Sequence, residues 1–294
     1  MKSDIQENYL APGHNACPGC GVPIAVRLIL RASGNNVVVV SPTGCLETFT
    51  SPYNMSAWEV PWVHSLFENA PAVASGIEAA LDYKGNRDTH VIVIGGDGAS
   101  FDIGIGSLSG MLERNHDILY ICYDNEAYMN TGIQRSSATP LGGSTTTTPV
   151  GSKSYGESLP KKDMLAFARA HHIDYVASAT IGYPRDLMNK VKKGLAVNGS
   201  AYLHVLIPCT LGWGFAPELT VDLSRLSVQT GVFPLVEFEK GELKSVRKIK
   251  KLLPVDDYLK EQKRFAHLLT DDHSQVKEAI NSFVRTNIER YGLQ

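Results

Sequence analysis

The chain has 294 residues, 43% of them hydrophobic and 20% charged, with a formal net charge of -2. These proportions describe a globular protein with a substantial core, built as one large or two smaller domains, and its charge gives no reason to invoke nucleic acid. No apolar stretch reaches membrane-spanning length, and Met1 to Ile5 lack the core of a signal peptide, so the cytoplasm is the expected compartment.

In chain order, Cys17-Pro18-Gly19-Cys20-Gly21 is a tight C-x-x-C turn whose glycines can aim N–H groups at sulfur. Val22 to Ala32 follows with helical periodicity, then Val37 to Val40 as a strand that runs into Thr43-Gly44-Cys45. Trp58, Trp62 and His64 lie in an aromatic segment, and the spacing of His64 and Glu68 fits a helical i, i+4 pair. Glu68 to Tyr83 is an alanine-rich helix. The apolar, largely β-branched run at Val91 to Ile94 predicts a strand buried on both faces, ending at Gly95-Gly96-Asp97-Gly98 and feeding a helix over Phe101 to Arg114.

A second apolar run, Ile118 to Tyr123, leads into Asp124-Asn125-Glu126-Ala127. Gly-Asp-Gly alone is an ordinary turn signal. Strand, Gly-Asp-Gly, helix, strand and Asn-x-Ala in succession is far more restrictive. It sets two strand ends side by side, where open α/β sheets bind ligands. The glycines and helix N–H groups suit phosphate oxygens, and Mg²⁺ held partly by phosphate needs few protein oxygens. Asp97, the Asn125 amide and the Ala127 carbonyl fit that set.

The stretch from Ser136 to Lys162 is the one long irregular segment. Its position after the motif suits a wall or lid over the site better than a mobile surface loop. Met164 to His171 reads as a helix, Tyr175 to Ser178 as a strand, Arg185 to Leu195 as a helix, and Tyr202 to Ile207 as a strand ending near Cys209. His171 and His172 show no ligand spacing. The basic run from Lys244 to Lys251 fits a solvated face, and from Pro254 the chain has the pattern of a charged helical arm, packed outside or on a partner. No repeat or linker interrupts a single domain over residues 1–294. The alternation predicts an α/β fold, mainly a parallel sheet with helices on both faces.

Five cysteines without a secretory context point to metal or redox use. Cys17, Cys20, Cys45 and Cys209 stand at a turn and two strand ends, and four thiolates suit either tetrahedral Zn²⁺ or a 4Fe-4S cluster. Cys209 also admits a reading as a core thiol. Cys122, inside an apolar strand, reads as an inert core residue.

The stretches Gly95 to Gly104 and Asp124 to Gly132, with Ser136-Ser137-Ala138-Thr139-Pro140 and Val228-Gln229-Thr230-Gly231, resemble the β subunits of 2-oxoacid:ferredoxin oxidoreductases, and the pyruvate enzymes most. The similarity runs from Cys17 to about Pro234. It implies a thiamine diphosphate-binding fold. Gly44, Cys45, Gly96, Asp97, Gly98, Ala99, Asn125, Ala127, Asn130 and Thr131 would line that cofactor, with Mg²⁺ on Asp97, Asn125 and the Ala127 carbonyl and Asn130 near the substrate. The same resemblance assigns Cys17, Cys20, Cys45 and Cys209 to a 4Fe-4S cluster. The implied reaction is coenzyme A-dependent oxidative decarboxylation of a 2-oxoacid, electrons passing to ferredoxin.

The glutamate that activates thiamine has no signature here. Glu47, Glu68 and Glu126 lie near the right segments only. In the resembled enzymes it comes from a partner α subunit, so the chain is expected to be inactive alone and to assemble with α and further γ/δ subunits. A branched-chain, aryl or oxalate-type enzyme shares the cofactor motifs. A non-redox thiamine enzyme subunit and a zinc-stabilised binding protein are the readings from other classes.

Overall fold

The computed structural model describes residues 9–52, 54–270 and 273–294. Met1 to Ile5 lie outside them. The first helix, α1 (Gly21–Ser33), starts directly on Cys20. Then come β1 (Val37–Pro42), α2 (Cys45–Thr50), β2 (Trp62–Ser65), α3 (Ala70–Tyr83), β3 (His90–Gly96), α4 (Ile105–Arg114) and β4 (Ile118–Asp124). A small hairpin, β5 (Val150–Gly151) and β6 (Ser154–Tyr155), interrupts the long irregular stretch. The chain continues as α5 (Met164–Arg169), β7 (Tyr175–Thr180), α6 (Pro184–Leu195), β8 (Ala201–Leu206), α7 (Thr210–Trp213), α8 (Thr220–Gln229), β9 (Val236–Glu239), β10 (Glu242–Val246), α9 (Val255–Leu259) and α10 (Ser274–Tyr291).

The eight-stranded sheet runs β10-β9-β7-β8-β4-β3-β1-β2. From β7 to β2 every pairing is parallel, and β9, antiparallel to both β7 and β10, is the one strand of this sheet that runs the other way. The double-faced burial predicted from the apolar runs is visible residue by residue. Ile92, Ile94, Leu119 and Ile121 point to the layer with Val26 and Val191, whereas Val91, Val93, Ile118 and Tyr120 point to the layer with Ala74, Leu108 and Met111. Period-2 alternation with both faces apolar is what a covered parallel strand requires.

Parallel strands carry their carboxyl ends to one edge. Gly44-Cys45 after β1, Asp97 after β3, Asn125 after β4 and Cys209 after β8 therefore emerge side by side, although the chain separates them widely.

Two expectations are corrected. The helix expected from Phe101 begins later: a π-helical turn spans Gly98–Asp102 and α4 starts at Ile105. A Cβ on Gly104 would lie 2.2 Å from the Ala99 carbonyl oxygen, so the backbone crowds itself there and bends. His64 lies on strand β2, not on a helix with Glu68, and it hydrogen-bonds the Thr43 hydroxyl at 2.9 Å. Of the two places expected for the segment beyond Pro254, it takes the outside of this chain: Tyr258, Phe265, Leu268 and Ile280 bury against Leu206, Trp213 and Leu223. The basic run lies at the surface, with Lys244, Lys248, Lys250 and Lys251 all exposed, and His171 is satisfied by Ser109 and the Phe167 carbonyl.

Candidate functional site

An open cleft at the carboxyl edge of the sheet is lined by Gly44, Cys45, Gly96, Asp97, Gly98, Asn125, Ala127, Asn130 and Thr131. Ala99 does not line it. That residue is buried in the π-helical turn beneath Gly104. Thr43, Phe67, Tyr123, Tyr128 and Met129 complete the lining. The two aromatics at its mouth, Phe67 and Tyr128, meet edge to face at 5.8 Å. Gly98 has to be glycine, since a Cβ would fall 2.3 Å from the Tyr128 ring.

Asp97 is almost fully buried. One carboxylate oxygen accepts a 2.5 Å hydrogen bond from the Ser136 hydroxyl. Its other oxygen lies 2.9 Å from the terminal amide of Asn125, and the same amide atom lies 3.0 Å from the Ala127 carbonyl oxygen. With nitrogen in that position the three groups make ordinary hydrogen bonds. With oxygen there, three acceptors face one another and only a cation satisfies them; which atom faces in is an assignment. Adjacent oxygens on octahedral Mg²⁺ stand about 3.0 Å apart, as follows from metal–oxygen distances of about 2.1 Å. The spacing fits.

Electrostatics point the same way. Burial pushes the Asp97 carboxyl well above the usual carboxylate range, and the neighbouring charge of Asp124 pushes it further, while Ser136 and Lys161 only partly oppose them. A buried carboxylate so short of positive charge is relieved by a cation.

Asp124 differs. Burial disfavours its charge too, but Lys161 and His204 outweigh it and hold the carboxyl below its usual range. Its Oδ1 accepts from the Glu126 N–H at 3.0 Å, and Oδ2 from the His204 ring at 2.7 Å. Glu126, in the left-handed region at φ 71°, turns its carboxylate away from the cleft to Lys161 and Arg264, at 2.7 and 2.6 Å. Glu126 is thus spent on structure. A ring of buried charge fixes the backbone that presents Asn125 and Ala127.

Of the cysteines, only Cys45 lines the cleft. Thr220 and Thr210, flanking α7 and α8, donate to the carbonyls of Gly19 and Pro18 at 2.6 and 3.3 Å, so the C-x-x-C turn is tied to the segment that carries Cys209. Gly19 adopts φ 72° against Pro217, where a side chain would strike the proline backbone at 2.6 Å. The Cys45 thiol is pushed up to about 12 by burial, to which the charges of Cys209, Cys20, Asp97 and Cys17 add. Burial pushes Cys20 up to about 12 as well and raises Cys209. Among the described residues, however, no three His, Cys, Asp or Glu side chains are drawn closely enough together to hold a metal ion by themselves. Cys17, Cys20, Cys45 and Cys209 are free thiols, a donor set of the kind that an iron–sulfur cluster or Zn²⁺ takes. Cys122, fully buried within β4, fits the core role expected of it.

Sequence reasoning missed Ser136, Lys161, His204, Trp213 and Arg264 as parts of the site. Asp124 and Ser136 stand inside motifs already singled out, so their position was a usable signal. Arg264 carried none.

Residues 42–205 match the family of thiamine pyrophosphate enzymes, C-terminal TPP binding domain. The chain is 52% identical over 277 residues to "Pyruvate synthase subunit PorB" of Methanothermobacter marburgensis, covering 94% of this chain and 96% of that protein. It is 43% identical over 275 residues to "Ketoisovalerate oxidoreductase subunit VorB" of Pyrococcus abyssi, covering 91% and 88%. Among solved structures, the fold resembles a chain of 2-oxoglutarate:ferredoxin oxidoreductase from Magnetococcus marinus, with a TM-score of 0.60 at 23% identity, over 76% of this chain and 81% of that one. With a thiamine-binding domain, a parallel sheet that gathers its motifs at one edge, and relatives alike over nearly their whole length, the chain belongs to the thiamine diphosphate-binding β subunits of the 2-oxoacid:ferredoxin oxidoreductases.

Proposed function

We propose that this chain is the diphosphate-binding and electron-accepting subunit of a pyruvate:ferredoxin oxidoreductase. With coenzyme A, the assembled enzyme would convert pyruvate to acetyl-CoA and CO₂, or run in reverse, with electrons passing through a 4Fe-4S cluster to ferredoxin. The observation that carries the reading is the meeting of Asp97, the Asn125 amide and the Ala127 carbonyl in a cleft that Cys45 also lines. Relatives named for pyruvate, more similar than the ketoisovalerate protein, favour pyruvate as substrate.

Bound thiamine diphosphate supplies a carbon nucleophile for the 2-oxo carbonyl and a store for the electrons left after CO₂ departs. This chain's residues do the holding. Asp97, Asn125 and Ala127 would ligate the Mg²⁺ that neutralises the diphosphate, while Gly96 and Gly98 leave room for its oxygens. Ser136 keeps the Asp97 carboxylate turned toward the ion. Phe67 and Tyr128 would shield the cleft from water, Asn130 would stand near the cofactor and the substrate, and Thr131 would line the cofactor. Cys17, Cys20, Cys45 and Cys209 would carry the cluster, with Cys45, which lines the cleft, turned to the electron donor.

The whole chain works as one unit with its helical segment after Pro254. An α subunit provides the glutamate that activates thiamine and the site for the substrate carboxylate. Any γ/δ chains carry electrons on to ferredoxin, in a cytoplasmic complex.

The test is the complex purified without oxygen. About four irons per chain, with absorption near 400 nm and bound thiamine diphosphate, are expected. Ferredoxin reduction should depend on coenzyme A and be fastest with pyruvate in a panel that includes 2-oxoisovalerate, 2-oxoglutarate, an arylpyruvate and oxalate. A preference for a branched acid would move the assignment to the ketoisovalerate branch. Zinc in place of iron would end the redox reading.

A further inference from the structure

Cys209 and Trp213 are four residues apart, the spacing that puts two side chains on one helical face. They bracket α7. The Cys209 sulfur accepts from the Gly212 N–H at 3.4 Å, and its carbonyl accepts from the Trp213 N–H at 2.9 Å, so this short turn is wound on the cysteine. Trp213 is fully buried, and its one side-chain polar atom, Nε1, donates to the Asn125 carbonyl at 2.8 Å. The Arg264 guanidinium stacks over the same ring at 3.9 Å and reaches Glu126 at 2.6 Å. One indole thus holds two consecutive residues of the magnesium loop from behind, directly and through Arg264. From the cleft side Met129 lies against Gly212, where a Cβ would meet its sulfur at 2.1 Å. The cysteine turn and the magnesium loop are therefore in contact through both Trp213 and Met129.

We infer that Trp213 is a positioning residue that couples the two cofactor sites. A cluster on Cys209 fixes α7, α7 fixes the indole, and the indole fixes the Asn125 backbone from which the amide ligand projects. The inference rests on the reading that Asn125 serves Mg²⁺ and Cys209 a cluster. Coupling of this kind is reciprocal, so the loaded cluster tightens Mg²⁺–thiamine diphosphate binding by the same factor with which that cofactor stabilises the cluster. A single buried hydrogen bond carries about threefold to tenfold.

The experiment is calorimetric titration of thiamine diphosphate, in excess Mg²⁺, into the assembled complex in cluster-loaded and cluster-free forms. Wild type should bind about threefold to tenfold more tightly when loaded. Trp213→Phe keeps an aromatic ring under Arg264 and removes the N–H. It should retain its iron and show one weak affinity in both forms. Phe215→Leu alters a ring 6.2 Å from Trp213 with no bond to the loop, and should preserve the difference. Coupling that survives in Trp213→Phe, or vanishes equally in Phe215→Leu, overturns the inference. So does a wild type that holds both cofactors yet binds equally in both forms, and that result leaves the proposed function standing. A wild type that takes up no cluster or no thiamine diphosphate brings down both. If Trp213→Phe does not fold, hydrogen exchange on wild type decides: residues 124–131 should be better protected with the cluster than without it, thiamine diphosphate being absent, and equal protection refutes the coupling.

Discussion

The two walls of the proposed site, the oxygens around Asp97 and the segments that carry the four cysteines, are built on opposite principles. The wall proposed for magnesium is fully specified by the protein: Asp97, Asp124, Asn125 and Glu126 are buried, and Ser136, Lys161, His204 and Arg264 satisfy the oxygens that do not face the cleft. The thiol wall is specified only as backbone. Thr210, Thr220 and two constrained glycines anchor it, while Cys17 is exposed and burial keeps the Cys20 and Cys45 thiols protonated until something displaces their protons. A carboxylate and two neutral oxygens can be prearranged, because a small ion needs few ligands in fixed places. Four thiolates cannot be massed without a cation among them, since their charges repel.

That contrast predicts separable failures. The largest effect is expected at Asp97. Asp97→Ala removes the only carboxylate in the oxygen set, so Mg²⁺-dependent thiamine diphosphate binding should be lost on calorimetric titration, while iron content and absorption near 400 nm stay as in wild type. Cys45→Ser should do the reverse, losing the cluster and its colour and keeping cofactor binding, reduced at most by the coupling through Trp213. If either substitution removes both cofactors outright, the walls are one site and the comparison fails.

Next in size is Arg264→Leu, which leaves Glu126 buried with Lys161 as its remaining partner and strips the cation from the Trp213 ring. Breaking a buried pair by removing one member costs about 3 kcal/mol or more. The chain should melt well below wild type, and cofactor binding should weaken although Arg264 touches no cofactor. A melting temperature within a degree or two of wild type would mean that the charge ring does not hold the loop.

Arg264 also marks the limit of what the sequence discloses. The parallel strands were legible because Val91 to Ile94 and Ile118 to Tyr123 are continuous apolar runs, the pattern of a strand buried on both faces. Gly-Asp-Gly and Asn-x-Ala were legible because a tight approach at a strand end leaves few residue choices. By contrast, β2 is four residues on the sheet edge, with Trp58, Trp62 and His64 stacked along it, and its aromatic pattern hid the strand. The antiparallel β9–β10 hairpin turns at Lys240-Gly241, both at positive φ, so its signal was the turn chemistry and not a period. Arg264 lies 138 residues from Glu126 and Trp213 lies 88 from Asn125, so no local pattern announces either contact. The residues proposed to bind stand in local motifs, and those that hold them in place do not.

The smallest expected effect tests the thiol wall without touching a thiol. Thr220→Val keeps the shape of the side chain and removes the hydroxyl that donates to the Gly19 carbonyl at 2.6 Å, one of the two ties between the C-x-x-C turn and the Cys209 segment. Thr220 is buried, so the carbonyl loses a partner that water cannot readily replace, at a cost of about 1 kcal/mol. Because that cost falls on the backbone frame, the cluster should still assemble. It should be lost several times faster than from wild type on exposure to a chelator, followed as the decay of absorption near 400 nm. Thiamine diphosphate affinity in the loaded enzyme should not change, since neither Asn125 nor Trp213 bonds to Thr220. Loss of the cluster at the wild-type rate would mean that the glycine turn keeps its shape unaided, and that the thiol wall is as fully specified by the chain as the magnesium wall.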